Sequence, residues 1–238
     1  MSDSSKLNGS DASSFISSEL YPDLVEFGGL APAIRSIAER DGIGVGCISP
    51  QSGRGYSRFG TAEATSDRGG ITVLLTAEVR SFSIIFEGKV MPWAYGSTDN
   101  ILAAAQSIGL WRSGVSLKQL HDQFSFVVYT ELAQALECGD PVATQWEILL
   151  NDEMYVECAS MLRKIHGNSQ LRALFPFLSH GVFRLARDCS DRTAGEIWIT
   201  PLRHKGYLVK STSAVSEERE VATLDHAIEY AVSLLKQP

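Results

Sequence analysis

The feature that most constrains this chain is the order in which β-favouring and helical patterns follow one another. Short β-favouring runs, parted by glycine and serine, occupy residues 45–95. Helical spacing of apolar residues dominates 98–178, and two or three further β-favouring runs lie within 181–210. Such blocks, without regular alternation of strand and helix, are typical of an α+β fold and argue against a doubly wound parallel sheet.

From this order we predict a mostly antiparallel sheet formed by N-terminal and C-terminal strands together. The segment 98–178 is then an acidic helical insertion or cap. Two of its helices have clear signals. One begins at Asp140-Pro141, where proline takes the first helical position. The other is marked by five residues at helical spacing, which predict one buried face: Met154, Cys158, Met161, Leu162 and Ile165.

The chain ends in a predicted amphipathic helix capped by Thr223. Its apolar stripe follows at helical spacing: Leu224, Ala227, Ile228, Ala231, Leu234 and Leu235. We expect a single α+β domain over 21–238. The preceding residues 1–20 are rich in serine, aspartate and asparagine and are predicted to be a flexible tail.

Composition places the chain among ordinary globular proteins, since 44% of its 238 residues are hydrophobic and 21% are charged. No apolar run approaches the roughly 20 residues that cross a bilayer, and the N-terminus lacks the pattern of a secretory signal. The four cysteines form no C-x-x-C pair: Cys47, Cys138, Cys158 and Cys189. We therefore expect a cytoplasmic protein with free thiols, no membrane contact, and no metal or other cofactor.

The net charge of −7 argues against a nucleic-acid partner, because phosphate binding draws on clustered lysine and arginine. Residues 121–175 carry eight acidic and three basic side chains, an excess of five out of the seven negative charges. A solvated helical face would explain this pattern. The alternative is a docking surface for a basic protein. The residues assigned to that surface are Glu137, Asp140, Glu147, Asp152, Glu153 and Glu157.

Catalytic motifs are missing from the sequence, which has no nucleophile elbow, phosphate-binding loop or zinc-binding helix motif. The five histidines show no metal-ligand spacing. His180 is the candidate acid or base, since it follows an apolar run and precedes a strand, where a loop side chain can be held rigidly. A turn histidine bonded to its own backbone is the alternative.

Several short motifs carry a family resemblance: Tyr21-Pro22-Asp23, Gly29-Leu30-Ala31, Tyr95 to Asp99, Trp111, Leu117 to Leu120, and Leu171 to Gly181. Through them, most of residues 20–235 resembles a bacterial family of unknown function. Its members are commonly labelled natural product biosynthesis proteins, and many come from actinobacteria. The resemblance implies no catalytic residue. The label implies that the genes of the family lie near natural product biosynthesis genes. Genomic neighbourhoods of that kind also contain acidic immunity proteins of similar size that inhibit a cognate toxin.

Two functions are expected on these grounds. The first is a non-catalytic binding protein, an immunity-type inhibitor that neutralises a cognate bacterial toxin through its acidic surface. The alternative is an accessory protein or small-molecule enzyme of a natural product biosynthesis cluster, with His180 as acid or base beside a pocket.

Overall fold

The computed structural model describes residues 19–51, 58–89, 91–212 and 217–235. The predicted tail lies outside the described residues as far as residue 18. Contacts divide the chain into two compact units, 1–134 (unit 1) and 135–238 (unit 2). The stretch 21–238, for which the sequence predicts one domain, spans both units. Each unit has its own sheet and its own hydrophobic core.

The mixed α+β class, the antiparallel strands and the C-terminal helix are confirmed. The two ends of the chain, however, contribute to separate sheets of six and five strands, where the prediction had them share one. Strands that follow one another in sequence usually pair with one another, and each block holds enough strands to form a sheet locally. The predicted helical segment 98–178 also contains one short strand and most of another.

Unit 1 is an antiparallel sheet whose strand order follows chain order. Its strands are β1 (Ile48–Ser49), β2 (Thr61–Ser66), β3 (Gly69–Leu75), β4 (Phe82–Glu87), β5 (Pro92–Thr98) and β6 (Val127–Tyr129). Its helices are α1 (Pro22–Phe27), α2 (Leu30–Asp41), α3 (Ile101–Arg112) and α4 (Leu117–Gln123). Alternate residues of the central strand β4 are fully buried, as period two requires when one face packs on a core: Phe82, Ile84 and Phe86.

Tyr21 fastens the start of α1 to the turn between β3 and β4. Its hydroxyl lies 2.9, 3.1 and 3.0 Å from the carbonyl oxygens of Thr76, Val79 and Ser81, respectively. The same oxygen accepts a hydrogen bond from the Ser81 N–H at 3.0 Å. Because Tyr21 is fully buried, this phenol satisfies backbone groups that have little access to water.

Arg80 fastens the same turn to α1 a second time. Its guanidinium donates to both carboxylate oxygens of Asp23 at 2.8 Å and lies 5.5 Å from the ring of Tyr21. The hydrogen bonds from Arg80 hold the pKa of Asp23 below its ordinary value of 3.8. The Tyr21-Pro22-Asp23 motif therefore has a structural role in unit 1.

Unit 2 contains a five-stranded antiparallel sheet with strand order β11-β10-β9-β8-β7. The strands are β7 (Phe175–Ser179), β8 (Val182–Ala186), β9 (Glu196–Pro201), β10 (Tyr207–Ser211) and β11 (Glu218–Val221). The α-helices are α5 (Glu131–Cys138), within which the units divide, then α6 (Pro141–Asn151), α7 (Ala159–His166), α8 (Ser169–Arg172) and α9 (Leu224–Leu235). A 3-10 helix, Glu153–Cys158, joins α6 to α7.

The core of unit 2 lies between its sheet and helices α6, α7 and α9. The predicted stripe of α9 contributes to it, with Ala227, Ala231 and Leu234 buried. The predicted helix at Asp140-Pro141 is confirmed as α6. Within the described ranges, no helix has the length and apolar character needed to span a membrane.

Candidate functional site

The six carboxylates assigned to a partner surface lie in consecutive helical elements at the start of unit 2. Glu137 is in α5, Asp140 precedes α6, Glu147 lies within α6, Asp152 follows it, and Glu153 and Glu157 belong to the 3-10 helix. Glu137 is half-buried and the other five are exposed. We call these six residues the acidic surface.

The exposed carboxylates of the acidic surface form no ion pair with another residue in the part of the chain that the structure describes. Asp152 accepts a hydrogen bond from the Met154 N–H at 2.9 Å and so caps the 3-10 helix. Asp140 occupies the N-cap position of α6, but its carboxylate makes no capping bond. The negative charge of these exposed carboxylates is therefore available to attract a basic partner.

The 3-10 helix adds apolar contact area to this charge. Met154 is 78% exposed and Val156 is 71% exposed, and none of the six residues of the helix is buried. The prediction that Met154 lies on the buried face of a continuous helix is wrong. The chain takes 3-10 geometry up to Cys158, and the change from 3.6 to about three residues per turn rotates Met154 away from the face of Met161 and Leu162.

A cleft of about 450 Å³ lies beside α6, and two members of the acidic surface, Asp140 and Glu147, line it. Trp146 and Leu150 contribute apolar surface to the same cleft. Arg172 also lines it. The cleft thus combines opposite charges with an apolar part, the kind of lining found in small-ligand sites.

Trp146 holds α6 in place beside this cleft. Its indole N–H lies 3.0 Å from the carbonyl oxygen of Arg172 and 3.2 Å from that of Leu174. The ring centroid is 5.0 Å from that of His166 and 5.6 Å from that of Phe183. The side chain is 1% exposed, so one residue connects α6, α7 and the sheet of unit 2.

His180 occupies the two-residue connection between β7 and β8. His180 and Gly181 both have positive φ, 51° and 75°, which is the backbone of a type I′ hairpin turn. The imidazole is exposed, and its Nδ1 lies 2.9 Å from the Ser179 hydroxyl. His180 is not among the residues that line the α6 cleft. Turn geometry accounts for its position, and its catalytic role stays a prediction.

We expect substitutions of His180 to follow turn geometry. His180→Asn should change the free energy of unfolding by less than about 0.5 kcal/mol, because asparagine tolerates positive φ. His180→Val should destabilise the protein by about 1–2 kcal/mol, because a β-branched residue is strained there. Urea denaturation of the two variants measures the difference, and equal midpoints would contradict the turn role.

Within the described ranges, no group of three histidine, cysteine, aspartate or glutamate side chains is placed to hold a metal ion. All four cysteines are free thiols: Cys47, Cys138, Cys158 and Cys189. Burial raises the pKa of the Cys189 thiol, which keeps it in the less reactive protonated form.

These features define unit 2 as an antiparallel α+β unit with a charged surface at its N-terminal end. Residues 140–237, which include its whole sheet and helices α6 to α9, match the model of a family of unknown function, DUF6193. The match thus includes every member of the acidic surface except Glu137. No curated protein and no solved structure matches the chain.

Proposed function

We propose that this protein is a non-catalytic binding protein that docks a basic protein partner on its acidic surface. The observation that carries this proposal is the exposure of Met154 and Val156 next to the carboxylates of Glu153 and Glu157. Methionine is enriched in protein interfaces, and their fully buried cores are apolar within a polar rim. The 3-10 helix combines both features on a segment that contributes no buried side chain to the core.

The partner class that fits this surface is a cognate bacterial toxin, which makes the protein an immunity-type inhibitor acting in the cytoplasm. A toxin that cleaves nucleic acid needs a cationic cleft to hold phosphates. An acidic protein that fills such a cleft blocks it directly. The concentrated charge of residues 121–175 and the family resemblance of the chain support this assignment.

Binding would proceed in two physical stages. Complementary charge attracts the partner over about 8–10 Å at physiological ionic strength and raises the association rate. Contact then removes Met154 and Val156 from water, which slows dissociation. We therefore expect salt concentration to change the association rate. Substitution of Met154 or Val156 should instead change the dissociation rate.

Charge reversal of the 3-10 helix tests the proposal. For Glu153→Lys/Glu157→Lys, we expect the association rate with the purified product of the directly adjacent gene to fall at least about tenfold at low salt, because steering depends on charge. Surface plasmon resonance at several salt concentrations measures that rate.

The matched control is Glu39→Lys/Glu78→Lys, which changes net charge equally at two exposed carboxylates of unit 1. The control should retain most of the wild-type rate. If both variants lose the same fraction of the association rate, the effect depends on net charge and not on the position of the acidic surface. Failure of the wild-type proteins to associate at low salt would remove the proposal.

The alternative function, an accessory protein or small-molecule enzyme of a natural product biosynthesis cluster, is favoured by one observation, the α6 cleft of about 450 Å³. Its volume lies within the range of small-ligand sites. Thermal shift with small-molecule biosynthetic intermediates, on wild type and on Arg172→Gln, distinguishes this alternative from toxin binding.

A further inference from the structure

A second cleft of unit 2, about 510 Å³ in volume, lies between strand β11 and helix α9. One wall is residues 219–222, the end of β11 and the residue after it. The other wall is four residues of α9 spaced at i, i+3, i+4 and i+7, which place them on one helix face: His226, Glu229, Tyr230 and Ser233. We call this cleft the β11–α9 groove.

The strand wall of the groove belongs to the edge of the sheet. β11 is the outermost strand and pairs only with β10, within the described part of the sheet. The Ser211 N–H donates to the Glu217 carbonyl at 2.8 Å, which marks these opposite residues as a hydrogen-bonded pair. Since such pairs alternate along antiparallel strands, residues 219 and 221 bond to β10, whereas the backbone groups of Glu218 and Glu220 point outward.

The helix wall is held in place by contacts with the strand. The Arg219 guanidinium lies 5.5 Å from the ring of Tyr230, and the Tyr230 hydroxyl donates to the Glu217 carboxylate at 3.3 Å. Burial and the nearby Glu217 carboxylate raise the pKa of Tyr230, so the phenol stays protonated as a donor. These contacts hold α9 beside the free edge.

We propose that the β11–α9 groove binds an extended peptide segment of a protein partner, which adds as a strand to β11. The outward N–H and C=O of Glu220 supply main-chain hydrogen bonds, and the helix stripe contacts the side chains of the added strand. A four-residue segment spans about 13 Å, which matches the four residues of β11.

The charges of the groove select the kind of segment. Two glutamates, Glu220 and Glu229, are among the residues that line the groove, against one arginine, Arg219. Charged edge strands discourage pairing with apolar strands. The peptide segment that matches the charge of the groove therefore carries lysine or arginine among its alternating side chains. The inference deepens the proposed function, since the partner is again basic, but it uses a different surface.

Two substitutions of Glu220 distinguish the contribution of main-chain hydrogen bonds to peptide binding from the contribution of the carboxylate charge. Glu220→Ala removes the carboxylate and keeps the N–H. Glu220→Pro also removes the outward N–H, and it spares the ladder to β10 because that N–H points away from it. The probe is a phage-displayed library of random ten-residue peptides selected on the wild-type full chain. The most enriched sequence is then synthesised for fluorescence polarisation.

We expect enriched peptides to be basic and to lose about threefold in affinity on Glu220→Ala and at least about tenfold more on Glu220→Pro. Amide hydrogen exchange on the wild-type chain should show new protection at Glu218 and Glu220 when peptide is added. This second readout does not depend on the folding of the proline variant.

The inference is overturned if no peptide is enriched, or if enriched peptides bind Glu220→Pro as well as Glu220→Ala. It is also overturned if light scattering shows a wild-type dimer that Glu220→Pro disrupts, since a second copy would then occupy the edge. These failures leave the charge-reversal result at Glu153 and Glu157 untouched. Loss of that result would leave the peptide data standing.

Discussion

Replacing Trp146 with alanine is expected to destabilise unit 2 by about 4 kcal/mol, the usual cost of removing a buried tryptophan from a packed core. The indole is 1% exposed and donates to backbone carbonyls of residues 172 and 174. Its loss leaves both a cavity and polar atoms without their donor. Hydrogen exchange measured by mass spectrometry should show faster exchange in peptides from β8 and β9.

Trp146→Phe is the matched control, because it keeps an aromatic ring and removes the indole N–H. We expect it to cost about 2 kcal/mol, part from lost volume and part from the unsatisfied carbonyls. Peptides from β3 and β4 of unit 1 serve as an internal reference. If alanine and phenylalanine have equal effects, the packing role assigned to Trp146 is wrong.

The second large effect is expected at Tyr21, where Tyr21→Phe should lower the stability of unit 1 by about 2 kcal/mol. Removing one oxygen leaves the Ser81 N–H without its acceptor and the Thr76 carbonyl without the phenol donor, whereas the Val79 carbonyl keeps the Thr76 hydroxyl as its donor. Urea denaturation monitored by hydrogen exchange of peptides spanning 76–86 measures the loss.

Tyr95→Phe provides the comparison for that result, since it deletes the same atom from a tyrosine in the sheet of unit 1. Tyr95 is 44% exposed, and within the described residues its hydroxyl makes no hydrogen bond. Its removal should change stability by less than about 0.5 kcal/mol. Similar losses at both positions would mean that the contacts of Tyr21 contribute little.

Strong periodic signals in the sequence predicted individual helices well. They did not predict that the strands form two separate sheets. The apolar stripe of α9 and the proline that opens α6 act within their own segments, so local sequence identifies them. β7 and β11 were not predicted as strands. β7 begins Phe175-Pro176-Phe177, and β11 reads Glu-Arg-Glu-Val, so neither alternates polar and apolar residues as a half-buried strand does. Without them the C-terminal strands are too few to form a complete sheet.

The candidate site was predictable only in its charge. Counting carboxylates along the chain located the acidic surface, because charge density is a property of sequence. The exposure of Met154 depends on where an α-helix gives way to 3-10 geometry, a difference of about 20° of rotation per residue. The β11–α9 groove depends on which backbone groups of β11 face outward, and that parity is set by pairing with β10.

The absence of buried side chains from the 3-10 helix, among residues that the structure describes, has a consequence for how such a protein can change over time. Substitutions of its exposed residues Glu153, Met154, Val156 and Glu157 leave the core of unit 2 intact, so folding places few limits on them. Selection can then rewrite partner preference residue by residue without lowering the amount of folded protein. Within this fold, recognition can diverge rapidly on a scaffold that stays the same.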